Sequence, residues 1–411
     1  MFVIIYLRGF QMLNSMIYDA IIVGAGACGL MCGVQAAKNG KKILVLEKNE
    51  KAGAKILISG GGRCNYTNLY TTVDNFISAD REFSQSVFSQ WSVDDTVAFF
   101  KRNGIVGKEK TLGQLFPISN KAKDVVAVFL NLLRKYGGRL ETNANVTQVS
   151  KKGDLFALKY EWNGLEHTLE SRKVVMASGG LPIKKLGASD FSLRVAREFG
   201  LDLIETAPAL VPLTITGKDH PWFADLAGNT VFSEVSVGTV RFKENILFTH
   251  WGLSGPAILQ ISSYWRIGEP IVINLLPGDS IADIIAKERS QGGKRLLLHV
   301  LQDHFTRKLA EALGKYLPLD KKIASMSKVE AKLVASTIHK FTIKPAGDKG
   351  YDKAEVMRGG VATHELDSQS LESKKVKGLF FGGECVDMTG WLGGYNFQWA
   401  WASGYAIGNR I

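Results

Sequence analysis

Past residue 16 the chain sets a short apolar run between polar flanks. In "YDAIIVG" four consecutive apolar positions precede a glycine, the pattern of a strand buried on both faces. From about Cys28 to Asn39 apolar positions recur with helical spacing, and Gly40 is the residue type that commonly stops a helix. "KKILVLE" is a second buried strand, so these pieces predict a strand–helix–strand unit with parallel strands. Helical spacing returns near Asp94–Asn103 and Lys123–Tyr136. "RLETNANVTQV", "LFALKYEW" and "HTLESRKVVMASGG" then read as strands, the last running into a glycine turn.

After about residue 200 the pattern changes. "ALVPLTITG", "TVFSEVSVGTVRF" and "PIVINLLP" read as strands of an antiparallel, β-rich domain. Residues 281–340 read as helical, with Leu297, Leu301, Phe305, Leu309 and Leu313 forming one apolar stripe whose expected role is packing. The final stretch, "GLFFGGECVDMTGWLGGYNFQWAWASGYAIG", reads as strand, glycine-rich loop and helix. No internal repeat or low-complexity linker separates these regions, so the domains are expected to be inserted into one another. The predicted division is a discontinuous domain over 16–200 and 360–411, a β-rich cap or substrate domain over 201–280 and 341–359, a helical domain over 281–340, and an extension over 1–15.

Composition adds limits. A chain of 411 residues is too long for one ordinary core. No apolar run is long enough to span a bilayer, and Phe2–Leu7 has neither a preceding basic segment nor a small-residue cleavage site. The four cysteines, Cys28, Cys32, Cys64 and Cys385, form no CxxC pair, so a reducing cytoplasm is expected. Net charge is +12, and residues 281–340 hold 12 Lys and Arg against 6 Asp and Glu. A nucleic acid or an anionic membrane would suit that charge. A solvated helical surface is the preferred reading, because no aromatic-interleaved nucleic-acid motif accompanies it.

The glycines of "GAGACGL" carry the chemistry. Gly24, Gly26 and Gly29 form G-x-G-x-x-G between a strand and a helix, and Glu47 closes the second strand. The first glycine permits the tight turn, the second admits a pyrophosphate, and the third lets helix and sheet approach. The helix N-terminus presents free N–H groups to phosphate, and the acid suits a ribose. The ligand is therefore a dinucleotide. "SGGGRCN", with Arg63 as a phosphate or carboxylate partner, and the C-terminal "FGGE…GWLGGYNFQWA" argue for FAD. A helix starting near Gly394 would aim N–H groups at the flavin carbonyl end and favour its reduced, anionic form.

These segments, with "EKTLGQLFP", "ASGGLPIKKLGAS", "LFTHWGLSGPAILQISSYW" and "GGVATHELDSQSLESKKVKGLFFGGE", resemble the YhiN/BaiN-type flavoproteins over nearly the whole chain from Met16. That group includes aminoacetone oxidases and reductases proposed for bile-acid dehydroxylation. The resemblance implies an α/β fold: a Rossmann-like FAD-binding domain of the two-dinucleotide-binding-domain type, with an inserted β-rich domain and a small helical domain. Gly24, Gly26, Gly29 and Glu47 would bind the ADP half, and Ala27, Lys48 and Val146 also belong to the expected cofactor-binding set. Ser59, Gly60, Gly61, Gly62, Arg63, Cys64 and Asn65 would lie along pyrophosphate and flavin. Gly179 and Gly180 would end a strand near the cofactor. Gly383, Glu384, Asp387, Gly393, Gly394, Tyr395, Asn396 and Gln398 would meet the ribityl chain and ring.

The expected activity is hydride transfer between FAD and a small organic substrate, with NAD(P)H docking transiently as donor, since no second dinucleotide fingerprint is present. An oxygen-using amine or amino-ketone oxidase releasing peroxide is the alternative. A flavin-containing nucleic-acid-binding or regulatory protein is the third reading. His250, Arg63 and Tyr395 are the catalytic candidates, although a capping or interface role is preferred for His250. Cys28 and Cys32 read as small packing residues, and no metal-ligand spacing appears.

Overall fold

The computed structural model describes residues 17–411, and the extension expected over residues 1–15 lies outside them. The run "YDAIIV" forms β1 (Tyr18–Val23), buried except at Asp19, and "ILVL" forms the wholly buried β2 (Ile43–Leu46). Between them α1 (Ala27–Lys38) starts and ends one residue before the expected points, with Asn39 as its C-cap. β3 (Arg139–Glu141) extends the parallel ladder on β2.

Two further strands, β4 (Ala144–Lys152) and β5 (Leu155–Trp162), precede β6 (Leu165–Met176). β6 is long enough to serve two ladders. Its first half, where burial alternates, pairs antiparallel with β5; from Ser171 it pairs parallel with β1. Its last three residues, Val174–Met176, are all buried and also pair with β7 (Leu379–Phe381). The parallel part therefore runs β3-β2-β1-β6-β7, and β4-β5-β6 form an antiparallel flap on it. Apolar continuity at one end of β6 and alternation at the other write this division directly into the chain.

"RLETNANVTQV" is two strands rather than one. Asn143 adopts φ +55, a conformation asparagine tolerates, and the break sends β3 and β4 into different ladders.

The last helix, α5 (Tyr395–Gly408), packs on α1; α2 (Ala54–Gly62), α3 (Val93–Arg102) and α4 (Ala122–Lys135) complete the helices used below. The α1–α5 contact is close. A Cβ added at Gly404 would stand 2.4 Å from the Cys28 carbonyl oxygen, and one at Gly408 2.8 Å from that of Cys32. Cys28 and Cys32 are thus small residues that make room for a helix. Trp401 fixes the rotation of α5: it stacks on Phe129 of α4 at 5.0 Å, and its indole N–H donates to the Tyr66 carbonyl at 2.8 Å.

Contacts divide the described residues into 17–207 with 356–411, and 208–355. The second unit holds a seven-stranded antiparallel sheet centred on the hairpin Thr230–Val237 and Val240–Thr249. The helices of residues 281–340 belong to this same unit. Two expectations within it are corrected. In "ALVPLTITG" Ala209 closes the strand Leu203–Ala209 and only Leu213–Thr214 follows as strand, because Leu210 takes φ +50 and Pro212 lacks the N–H a ladder needs. The stripe from Leu297 to Leu313 is buried throughout but is broken into Leu297–Gln302 and Arg307–Ala312, the second capped by Thr306.

Gly404→Ala should lower the melting temperature, at a cost of about 1–3 kcal/mol, because backbone must shift to admit the methyl. Gly278→Ala, where an added Cβ meets nothing, should stay within about 0.5 kcal/mol in the same thermal melt.

Candidate flavin site

The fingerprint glycines divide by what surrounds them. Gly24 has φ +103, and a Cβ there would lie 2.5 Å from the Ala177 oxygen, so it is required where β1 and β6 end side by side. At Gly29 a Cβ would fall 1.9 Å from the Gly24 oxygen, so that glycine closes the turn onto α1. At Gly26 a Cβ would meet nothing within 4 Å. Gly26 is the N-cap of α1 and makes no side-chain cap, leaving the first N–H groups of the helix, including that of Ala27, directed outward. This is a cradle shaped for an external phosphate.

Glu47 sits at the end of β2, buried, with Oε2 accepting from the Ala25 N–H at 2.8 Å and Oε1 from the Asn49 N–H at 2.9 Å. Two backbone donors fix its orientation, and a carboxylate keeps acceptor capacity for a diol. Ala144 N–H donates to the Glu47 carbonyl at 2.9 Å, which brings β4 and the buried Val146 to this end of the site. Lys48 is exposed beside Gly187, and the Asn49 side chain holds the turn before it by donating to the Leu186 carbonyl at 3.0 Å.

The second glycine-rich segment begins as a helix. Gly53, at the head of α2, donates to the Ala25 carbonyl at 2.9 Å, tying the two glycine loops together. Past Ile58 the helix opens: Ser59 is extended, and Gly60, Gly61 and Gly62 have φ of 55°, 69° and 81°. Successive left-handed residues expose backbone N–H groups, an anion-binding geometry. Cys64 follows at φ +63, a strained conformation for a residue with a side chain. Arg63 is exposed and donates to the Gly60 carbonyl at 2.7 Å, with its guanidinium 5.4 Å from the Phe116 ring centre.

Asn65 closes the loop. Its Oδ1 is buried with no hydrogen-bond partner, while its Nδ2 donates to Gln114 at 3.3 Å. A buried acceptor without a donor is costly unless a ligand supplies one. FAD fits: its pyrophosphate suits the open Gly26 cradle, and the N–H of its pyrimidine ring suits the Asn65 oxygen.

The other expected residues meet here too. Gly179 faces Glu384, whose Oε2 accepts from Lys55 Nζ at 2.7 Å and whose Oε1 accepts from the Met357 N–H at 3.2 Å. Lys55 was absent from the sequence-derived set, although it stands in the quoted segment "GAKILISGGG"; the pair puts a cation beside the site. Gly180 is packed against Met357. Gly383, with φ +70, lies over Cys28 and donates to Ser403 at 3.1 Å. Gly393 and Gly394 lead into α5, whose N-terminus has no side-chain cap. A Cβ at Gly394 would strike Thr67 at 2.5 Å, so this glycine serves the fold as well.

Several side chains turn inward instead. Asn396 makes a paired contact with Gly390, N–H to Oδ1 and Nδ2 to carbonyl, both 2.8 Å. Gln398 accepts from Thr67 at 2.7 Å and is fully buried. Asp387 accepts from the Ala79 N–H at 2.8 Å, and burial raises its pKa above the usual aspartate value. Each of these side chains is therefore engaged within the protein. Tyr395 is buried at the head of α5, edge-on to Trp391. His250 lies in the second unit, exposed, with its carbonyl 2.9 Å from the His220 ring nitrogen.

All four cysteines are buried and unpaired. Burial pushes the thiols of Cys28, Cys64 and Cys385 up to about 12, so none is a thiolate near neutrality. Among the described residues Asp202, His364 and Glu365 gather ligand atoms within 4.8 Å. Lys375 lies 2.6 Å from Glu365, and the group has the contacts of an ion-pair network. No described helix is long and apolar enough to cross a membrane.

The family model for the HI0933-like protein Rossmann domain matches residues 18–410. The chain belongs to the HI0933-like family. It is 40% identical over 397 residues to the ribosomal RNA dihydrouridine synthase of Escherichia coli K12, covering 96% of this chain and 98% of that one. It is 30% identical over 412 residues to the 3-dehydro-bile acid delta(4,6)-reductase of Clostridium scindens, covering 94% and 97%. Among solved structures it shares its fold with a 3-ketosteroid-delta4-(5alpha)-dehydrogenase from Rhodococcus jostii RHA1, at TM-score 0.55, 14% identity and 96% coverage of both chains. Family and fold together make this an FAD-dependent oxidoreductase that moves hydride between flavin and an organic substrate.

Gly26→Ala should separate folding from cofactor binding. Its backbone, φ −78 and ψ −170, suits alanine, so apoprotein stability should change by less than about 1 kcal/mol. The methyl would occupy the pyrophosphate cradle, so FAD affinity in a fluorescence titration should fall at least about tenfold, or roughly 1.4 kcal/mol.

Proposed function

We propose that this protein reduces uridine in ribosomal RNA to dihydrouridine, using bound FAD that NAD(P)H re-reduces. The observation that carries the reading is 40% identity to the Escherichia coli ribosomal RNA dihydrouridine synthase across nearly the full length of both chains, against 30% for the bile-acid enzyme. Placement within the YhiN/BaiN-type group belongs to this proposal, as does a cytoplasmic location, where ribosomal RNA is found. The reading departs from the expectation of a small organic substrate and takes up the nucleic acid that the charge pattern alone did not favour.

The chemistry is one that both relatives' names share: saturation of a carbon–carbon double bond conjugated to a carbonyl. In uracil the C5=C6 bond is conjugated to the C4 carbonyl, so C6 accepts hydride and C5 then accepts a proton. FAD, when bound and reduced, would supply that hydride. The chain's own residues have three tasks. The Gly26 cradle and Glu47 hold the cofactor at its ADP end. Asn65 and the start of α5, which has no side-chain cap, would orient the ring and favour negative charge on its pyrimidine side. Tyr395, at the head of α5, is the proton-donor candidate within this unit, and its replacement by Phe tests it.

Purified protein loaded with FAD, given NADPH without oxygen and an unmodified ribosomal RNA transcript, should convert uridine to dihydrouridine. Mass spectrometry of the digested RNA reads this as the gain of one hydrogen molecule at a defined position. Flavin that reduces and then reoxidises only with an unsaturated 3-keto bile acid would overturn the RNA reading. Amine-dependent peroxide release without RNA reduction would move the assignment to an oxidase.

A further inference from the structure

A basic and aromatic rim stands beside the flavin site and is built wholly within the first unit. Its frame is a three-stranded antiparallel sheet of Thr67–Asn68, Gln114–Pro117 and Gly107–Glu109. This sheet is tied to the site at two points. Gln114 accepts from Asn65, and Asn68 Nδ2 donates to the carbonyls of both Gly393 and Leu112 at 2.9 Å. The hairpin tip and the head of α5 are therefore held by one side chain.

The outward face carries Lys108, Lys110 and Arg63. Lys110 Nζ stands 4.1 Å from the Phe116 ring centre, and Arg63 approaches the same ring at 5.4 Å. Two cations over one ring is an arrangement that leaves positive charge for an external partner, and no carboxylate closes an ion pair with any of the three among the described residues. The Lys110 ammonium is held below the usual lysine value by partial desolvation, then by the Arg63 and Lys108 charges. On the turn of the same hairpin Leu112 is 57% exposed, and Tyr70, 62% exposed, packs against that turn at Gly113. An exposed aromatic ring packed on the turn of a hairpin that carries unpaired cations has the composition with which proteins hold unstacked nucleotides.

We infer that this rim, Tyr70 with Lys108 and Lys110, grips single-stranded RNA flanking the target uridine and presents that base to the flavin. Tyr70 stacks on a neighbouring base, and the two lysines neutralise backbone phosphates. The inference rests on the ribosomal RNA reading above. It assigns the RNA contact to residues that neither hold FAD nor belong to the basic 281–340 stretch.

The test compares the FAD-loaded wild type with Lys108→Glu/Lys110→Glu and with Tyr70→Ala. The flavin absorption band and melting temperature, measured first, should match the wild type, since all three residues lie on the surface. Binding to a fluorescent single-stranded RNA copied from ribosomal RNA is then followed by anisotropy across a salt series. The double variant should bind at least about tenfold more weakly, with a salt slope shallower by roughly 1–2, as expected on losing two phosphate contacts. Tyr70→Ala should cost about tenfold with an unchanged slope, because stacking releases no counterions. Wild-type affinity and slope in the double variant would overturn the rim while leaving the ribosomal RNA reading intact. Wild-type protein that binds no RNA at low salt would overturn both. RNA binding that depends on the rim, without any dihydrouridine formed, would uphold the rim and overturn the substrate reading.

Discussion

The contact between α1 and α5 is the constraint on which the flavin site depends. The two helices come from opposite ends of the chain, and they approach until the backbone of Gly404 lies against the Cys28 carbonyl. Only small residues permit this. Gly404, Gly408, Ser403, Cys28 and Cys32 meet where larger side chains would hold the helices apart. The consequence is geometric. Two helix N-termini, one headed by Gly26 and the other by Gly394, are carried by one rigid pair, and neither has a side-chain cap. An anionic cofactor can then be held at its phosphates by the first and at its ring by the second. The same burial that allows the close crossing also keeps the cysteines as thiols, so the sulfur chemistry one helical turn apart on α1 is silent.

Glycine has distinct jobs in this arrangement. Gly24 and Gly29 are demanded by neighbouring backbone, so their replacement would damage the fold whether or not a cofactor binds. Gly26 is demanded by nothing in the protein. The G-x-G-x-x-G spacing therefore reads as a fold requirement at two positions and a ligand requirement at one. Gly60, Gly61 and Gly62 form a third class, since their left-handed backbone matters more than the space around them. Together with the unsatisfied Asn65 oxygen, they mark the place where the protein is incomplete without a ligand.

Much of this was legible in the chain because it is local. The first strand, helix and strand, Glu47 at the strand end and the final helix all follow from spacing and from glycine placement, and they appear within a residue or two of expectation. What was not legible depends on partners distant in sequence. Nothing near Gln114 says that it will reach Asn65, 49 positions earlier, or that Lys110 will share a ring with Arg63. Asn396, Gln398 and Asp387 stand in a flavin-type motif, yet their side chains are spent on Gly390, Thr67 and Ala79. A motif locates backbone better than it assigns side chains. Local breaks were hidden for a related reason: Asn143 could have continued a strand, and only the competition between a parallel and an antiparallel ladder decides that it does not.

The distribution of charge carries the same lesson into function. A linear count points to residues 281–340, where basic residues outnumber acidic ones, but several of them are engaged there: Arg295 with Glu288 and Asp303, Lys321 with Glu330, Arg307 with Glu311. Exposed pairs of this kind add little stability, yet they neutralise the field an anionic partner would feel. Lys108 and Lys110 contribute little to any count along the chain. They matter because folding sets them beside Arg63, on a hairpin whose other side holds Asn65 and Gly393. Net charge describes the molecule as a whole, whereas an anionic partner meets the cations that folding leaves without an ion pair.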